Sequence, residues 1–298
     1  MAIATGNFAE LLWPGINTIW GQTYTRYSTL YTNIFNTKKA SKGFEKEQGV
    51  TNLPLAALKY QGDAVSYVNP YQGFQKEYVP SVYSIGVIVT REMVSDDQYG
   101  YINQLPSFLA ESMRQTEETI SFNVLNNGFS TSFLGPDGSA LFASNHALIG
   151  GGANQRNQLS VASDLTQTSL EQMTQDIMDM IDDQSLKIRA TPQYLVVPTQ
   201  LYHRAHKILE SQYVTGSADN DKNTLQGTLK LLVSPYLTDT DAWFVTTNVP
   251  NGLNFYRWWA AEIYRDNEFD TQNMKVATVS RFTASWTNWR SAFGTPGA

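Results

Sequence analysis

The sequence predicts an α+β fold with long strands, one long helix and several extended loops. Three observations carry this reading. Leu109, Met113, Thr116, Ile120 and Val124 fall at spacings of four, three, four and four, the stripe of an amphipathic helix. Residues 78–90 alternate and then become the apolar run Ile85-Gly86-Val87-Ile88-Val89, as a strand entering a core does. Tyr194-Leu195-Val196-Val197 is stopped by Pro198 and followed at once by a helical pattern, which makes an α/β unit.

The chain opens with aromatic residues in no clear period: Phe8, Trp13, Trp20, Tyr24, Tyr27, Tyr31 and Phe35. Trp13-Pro14-Gly15 signals a turn or a helix start, and Ile16, Ile19, Trp20, Tyr27, Leu30, Tyr31 and Ile34 permit a helix over 16–35. Such a helix packs either on its own domain or, as an arm, on a neighbouring molecule. Residues 38–47 hold Lys38, Lys39, Lys42 and Lys46 against Glu45 and Glu47, a solvated charged connector. Residues 63–68 and 78–90 then read as two long strands, with Asn69-Pro70-Tyr71-Gln72-Gly73-Phe74 a turn signal between them. Tyr71 and Phe74 would stand near the tip, where exposed rings are costly unless another surface covers them. Pro80 marks an edge or a bulge in the second strand.

In the long helix Pro106 suits the first turn, and about 20 residues make a rod of about 30 Å. Glu111 with Arg114, and Arg114 with Glu118, supply ion pairs for a wet side, while Asn126-Asn127-Gly128 is a left-handed stop. Residues 129–166 are rich in turns. A second helix opens at Thr168, paired with Glu171 as a capping box, and buries Leu170, Met173, Ile177 and Ile181. Thr199 caps a third, with Leu201, Tyr202, Ala205, Ile208 and Leu209 inward. Residues 216–227 form a polar loop, and further strands are expected at 229–233, 243–247 and 275–286. No internal repeat is present.

The chain has 298 residues, enough for one large or two smaller domains. Charged residues are 16% of the total, against about 25% in ordinary soluble domains. A surface poor in charge is cheap to bury against other subunits, although a merely neutral polar surface has the same composition. The net charge of −6 and the lack of a long basic tract argue against a dedicated nucleic-acid binder. They are compatible with a container whose wall does not adhere to DNA inside it. With no cysteine, disulfide, thiol and thiolate-metal chemistry are excluded. No signal-peptide pattern and no membrane-length apolar run are seen, so synthesis in the cytoplasm is expected.

Each candidate for chemistry fails on its own terms. His203 and His206 share a helical face, but a catalytic zinc needs a third ligand and His-Glu-x-x-His is absent; His146 stands in a distant turn-rich segment. Asp219, Asp221 and Asn223 begin like a calcium loop, yet its sixth and twelfth positions are Thr224 and Lys230. The glycines at 150–152 lack the following Lys-Ser/Thr of a phosphate loop. Asp176, Asp179, Asp182 and Asp183 lie off the apolar stripe of the second helix and read as its solvated side, not as a glycosidase pair. No catalytic, cofactor or metal site is therefore expected.

Several segments in fixed order carry a resemblance. They are Leu12-Trp13-Pro14-Gly15 with the aromatic stretch after it, Val87-Ile88-Val89-Thr90-Arg91-Glu92 followed by Asp96-Asp97, and the long helix after Tyr101. The strand leading to Pro198 and the closing Arg281-Phe282-Thr283-Ala284-Ser285-Trp286 with Trp289-Arg290 complete the set. In this order the chain resembles the Mu-type phage major head proteins, the gpT family, of the Hong Kong 97-type capsid fold. The resemblance implies an N-terminal arm over 1–44, an extended β-hairpin loop over 45–90 and a peripheral domain over 91–164 with a spine helix at 101–128. It further implies an axial domain over 165–265, its 216–227 loop near the symmetry centres, and C-terminal strands over 266–298 returning to the core.

The function so implied is a major capsid protein that self-assembles into hexamers and pentamers of an icosahedral head enclosing double-stranded DNA. It would reside in the virion, without cofactors and without a membrane. A separate scaffolding protein, a portal and a decoration protein are the expected partners, since no long charged helical segment precedes residue 8. Trp13, Trp20, Tyr71, Phe74 and Lys76 are the candidates for contact between subunits. The fold's namesake joins its subunits by a Lys–Asn bond; Lys76 lies in the corresponding loop, but no partner motif matches, so that chemistry is not carried over. The alternatives are a tail-tube or head-associated phage protein, expected to be mostly β, and a carboxylate-based hydrolase.

Overall fold

The computed structural model describes residues 9–96, 104–214, 221–268, 270–271 and 273–298, with the backbone alone described at 9–14, 91, 94 and 95. Among these the order is α1 (Ala9–Arg26), β1 (Asn36–Lys39), β2 (Glu45–Val50), β3 (Gln72–Tyr78), β4 (Ser81–Val89), α2 (Arg91–Asp96) and α3 (Leu105–Asn126). Then come α4 (Gln167–Met178), β5 (Pro192–Val197), α5 (Tyr202–Glu210), β6 (Lys230–Val233), β7 (Trp243–Thr247), β8 (Leu253–Asn267), β9 (Met274–Trp286) and β10 (Ala292–Thr295). One four-stranded sheet has the order β1-β8-β9-β4, a second has β10-β7-β5-β6, and β2 with β3 forms a separate two-stranded sheet.

Helix α3 organises the first sheet. Its 22 residues begin with Pro106 in the first turn, where the missing N–H costs nothing. Leu109, Ala110 and Met113 pack on one side against Ile16 and Trp20 of α1, and on the other against Ala261, Ile263 and Val276 of the sheet. The helix is thus covered on two sides. That changes the expected wet face: Glu118 is buried, and Arg114 pairs with Glu117 rather than with Glu118 or Glu111. The helix ends with Asn127 N–H on Asn123 O and Gly128 N–H on Leu125 O. Gly128 is not left-handed; it is small because a Cβ there would stand 2.5 Å from the Phe142 ring.

The second half of α3, through Phe122 and Leu125, joins a larger core that runs into both four-stranded sheets. Phe142 and Phe244 stack at 5.1 Å, as do Phe255 and Phe282. Such ring pairs contribute about 0.5–1.5 kcal/mol beyond the area they bury. In the second sheet β5 is central, and Leu195, Val196 and Val197 are buried, as its unbroken apolar run requires.

Several local expectations are corrected. Residues 63–68 are not a strand, and the two strands of the hairpin are β2 and β3. The stretch 78–90 is two elements: Pro80, which has no N–H to give a ladder, separates β3 from β4, and β4 pairs with β9 instead. Helix α4 is capped by Thr166 with Ser169, not by Thr168 with Glu171, and ends before Ile181. Thr199 lies in a 3-10 turn without capping α5, and Tyr202 faces out. Strand β8, the longest of the described strands, lies across the expected boundary at 265 and belongs to the first sheet. The part of the long helix expected at 101–103 and the loop residues 215–220 lie outside the described residues.

Candidate functional site

The groups able to do chemistry are held apart, each by its own structural partners. Asp176 pairs with Arg156 at 3.1 Å, Asp179 with Lys187 at 2.7 Å and Asp183 with Arg290 at 3.1 Å. Asp182 is buried rather than solvated: its Oδ1 accepts from Gln184 and Leu186 N–H, both at 2.8 Å, and closes the turn after α4. His146 lies in the core, stacked 4.2 Å from Trp289, with Nδ1 2.5 Å from Asp137 Oδ2 and Nε2 3.1 Å from Asn157 Oδ1. Asn157 donates to the carbonyls of Leu141, Trp289 and Ala292, which ties that loop to the C-terminal strand. Asn223 braces the end of α5 through Ile208 O and Ser211 O, while Asp219 lies outside the described residues. His203 and His206 line an open surface hollow, and no group of three metal-ligating side chains occurs among the described residues.

What the fold does present is a projecting hairpin. The β2–β3 ladder runs from Glu45–Tyr78 to Val50–Gln72 with an irregularity after Gln48. Gly73 is required there, since a Cβ would meet the Gly49 backbone at 2.5 Å. Beyond Thr51 and Tyr71, which exchange backbone and hydroxyl bonds, residues 52–70 form no regular structure and are exposed throughout. Their turn is at Tyr60-Gln61-Gly62-Asp63, with Gly62 at φ +92° and Tyr60 N–H on Asp63 Oδ2. Leu55 and Leu58 are each 79% exposed and Tyr67 is 91% exposed; Leu53, Tyr60, Val65 and Val68 are also in solvent. This is dense apolar exposure on a segment without a core of its own.

The second feature is the clasp that fastens residues 20–35 to α3. Glu117 is fully buried; its Oε1 accepts from Tyr24 Oη at 2.7 Å and Arg257 Nη2 at 3.0 Å, and its Oε2 from Arg114 Nη1 at 3.0 Å. Arg114 also donates to Tyr24 O and lies over the Tyr24 ring. Glu118 accepts the N–H groups of Leu30 and Tyr31 at 2.6 and 3.1 Å. Burial raises the Glu118 carboxyl above its usual range, and these two bonds only partly oppose that. Burial and the neighbouring Glu117 push the Tyr31 hydroxyl up to about 12. A buried charge is tolerated when it is fully paired, as Glu117 is here.

Residues 74–294, most of the chain, match the phage capsid protein family. The chain belongs to that family. No curated protein sequence matches it. Among solved structures, the virus-like particle of Pyrococcus furiosus is similar at TM-score 0.58 and 9% identity, over 95% of this chain and 98% of that one. The capsid of bacteriophage JBD30 is similar at TM-score 0.60 and 12% identity, over 71% and 92% of the two chains. The capsid of a native GTA particle gives TM-score 0.60 and 9% identity, over 88% of each. The fold is the Hong Kong 97-type capsid fold, and the protein is a structural subunit that forms a head shell.

In this capsid protein the side chains selected from sequence have unequal positions. Trp20 is 7% exposed and stacks on Tyr24 at 4.9 Å, so its ring is covered within its own subunit. Trp13 is in α1, and its side chain lies outside the described part. Tyr71 is 58% exposed at the end of the loop, just before β3, whereas Phe74 is half-buried in β3. Lys76 reaches Leu134 O at 3.4 Å and lies over the Trp286 ring; burial lowers its amine below the usual lysine range. Sequence reasoning missed Glu47, Glu117, Glu118 and the loop leucines. Leu53, Leu55 and Leu58 beside Pro54 were the available signal: apolar residues in a stretch with neither helical nor strand period.

Proposed function

We propose that this capsid protein is the major head protein of a Mu-type tailed phage, assembling as hexamers and pentamers around double-stranded DNA, and that loop 52–70 lies on a neighbouring subunit. The observation that carries the contact is the loop itself, with Leu55, Leu58 and Tyr67 almost wholly in solvent. Tyr71 belongs to the same contact, with Phe74 and Lys76 at its margin. In a closed shell every loop finds an equivalent surface, so each subunit both gives and receives this contact. The first sheet with α3 forms the peripheral region. The second sheet with α4 and α5 forms the axial region, and the segment before β2 forms the arm. Assembly in the host cytoplasm with a separate scaffolding protein, on a portal, and later decoration complete the reading.

Expressing the chain with and without the scaffold, followed by negative-stain imaging, tests it. Rings of five or six subunits, or closed shells, are expected. Tubes of fixed diameter, or a monomer that persists at high concentration and ignores the scaffold, would overturn it.

A further inference from the structure

The β2–β3 sheet shares no strand with either larger sheet, so beyond the short Val79-Pro80 link into β4 its direction is left to side chains. The side chain at its root is Glu47. Its Oε1 accepts from Lys38 Nζ of β1 and from Tyr256 Oη of β8 at 2.5 Å. Its Oε2 accepts from Asn254 Nδ2 of β8 at 2.8 Å and from Thr287 Oγ1, just past β9, at 2.5 Å. Four donors from three segments of the body fill the acceptor sites of one carboxylate. The partner strand joins the same knot: Tyr78 Oη is 2.6 Å from Thr287 Oγ1 and accepts from Asn254 Nδ2 at 3.1 Å. Tyr78 and Tyr256 also pack ring to ring at 4.7 Å.

Contacts farther along are weaker in kind. Lys76 reaches one carbonyl at 3.4 Å, and Asn52 Nδ2 donates to Asp182 Oδ2 at 2.8 Å. Neither brings an ion pair to the hairpin; the first holds β3 alone, and the second lies in the loop beyond β2. We propose that Glu47 is a positioning residue that fixes the hairpin's direction and thereby aims loop 52–70. Only a carboxylate serves. A glutamine would turn an NH2 donor toward two of the four donors and leave Lys38 without its counter-charge. The inference concerns the isolated subunit and stands whether or not the loop meets a neighbour.

The chain has no cysteine, so spin labels can be placed on Gln75→Cys in β3 and Lys207→Cys in α5, both exposed positions, without removing native thiols. The label-to-label distance distribution of the otherwise unaltered subunit is expected to be narrow. Glu47→Gln should broaden it about twofold while amide exchange within the β2–β3 ladder stays slow, because the hairpin moves as a body. Thr287→Val and Tyr256→Phe, which each remove one donor, should give smaller broadening. Lys46→Gln, which breaks the outer Lys46–Glu77 pair at 3.3 Å, should leave it unchanged. An unaltered distribution in Glu47→Gln would overturn the proposal, as would equal broadening in Lys46→Gln. Should Glu47→Gln fail to fold, the two donor variants decide: unaltered distributions in both overturn the proposal equally.

Discussion

Replacing Leu55 and Leu58 together by Ser separates the loop's role in association from any role in folding. Each side chain is 79% exposed in the subunit, so each has nearly its whole apolar area to bury on a partner. Full burial of a leucine is worth about 1.5–3 kcal/mol, and scaling two of them by their exposure gives about 2.5–5 kcal/mol per loop. At 1.4 kcal/mol per decade this raises the concentration needed for association by roughly two to three and a half orders of magnitude. The subunit's own stability should move by no more than about 0.5 kcal/mol, as for other exposed positions. Light scattering against protein concentration reads the threshold, and thermal unfolding reads the stability. An unchanged threshold would remove the loop from the interface. A large loss of thermal stability would instead show that the leucines pack on their own subunit.

Four further outcomes follow from particular contacts. Asn157→Ala strips partners from Ala143 N–H, His146 and several carbonyls at a fully buried position, and should cost about 3 kcal/mol in denaturant unfolding; a loss below about 1 kcal/mol would contradict the tie it forms. Gly128→Ala places a methyl 2.5 Å from the Phe142 ring and should destabilise by about 1–3 kcal/mol, visible as a lower Tm; an unchanged Tm would show that the ring can yield. Burial raises the Glu47 carboxyl, but the bonds from Lys38, Thr287 and Tyr256 outweigh it and leave the group below its ordinary range. Its contribution is therefore full above the unfolded-state value and lost as pH falls through the lower folded value, so parent and Glu47→Gln Tm curves should converge in acid; a constant gap would refute this. Assembly should respond weakly to salt, its threshold changing less than about threefold between about 50 and 500 mM NaCl; a steep rise would show that ion pairs hold the subunits together.

Periodicity made α3, the buried face of α4, and strands β5, β7 and β9 legible, because in each enough of the buried positions are apolar to show a period, although Glu117, Glu118, Thr246 and Thr278 are buried among them. It missed β8, whose alternation is interrupted by register shifts between Arg257 and Trp259 and again before Glu262. It also misread the hairpin. Strand β2 is Glu-Lys-Glu-Gln-Gly-Val, and its inward side chain is Glu47, so the segment looks like a solvated connector until its four donors are seen together. Glu117 and Glu118 were hidden for the same reason: a carboxylate that serves Tyr24, or the N–H of Leu30, is indistinguishable in one dimension from a surface acid. The contact was expected at the aromatic pair Tyr71 and Phe74. The densest exposure instead begins at Leu53, where irregular spacing hides it from both templates.

The low charged fraction of 16% has a structural counterpart that explains how one chain can be both rigid and adhesive. Glu117, Glu118, Asp182 and Arg290 are buried, and the Glu47 side chain is nearly so. Glu117, Arg290 and Glu47 are in ion pairs, and Glu118 and Asp182 accept backbone N–H groups, so these charges are held inside the subunit. Removing an ion from water costs several kcal/mol even after relaxation, whereas apolar area returns about 25 cal/mol per Å². A surface low in charge that also exposes leucines is cheap to desolvate against another subunit. The acids nevertheless have a task. By holding residues 20–35 on α3 and the hairpin on the first sheet, they set the shape in which the exposed loop is presented. In the proposed contact the apolar loop supplies attraction, and the polar groups inside supply geometry. That division is why Glu47, Glu117 and Glu118, which look like surface acids in the sequence, are each held by structural partners of their own.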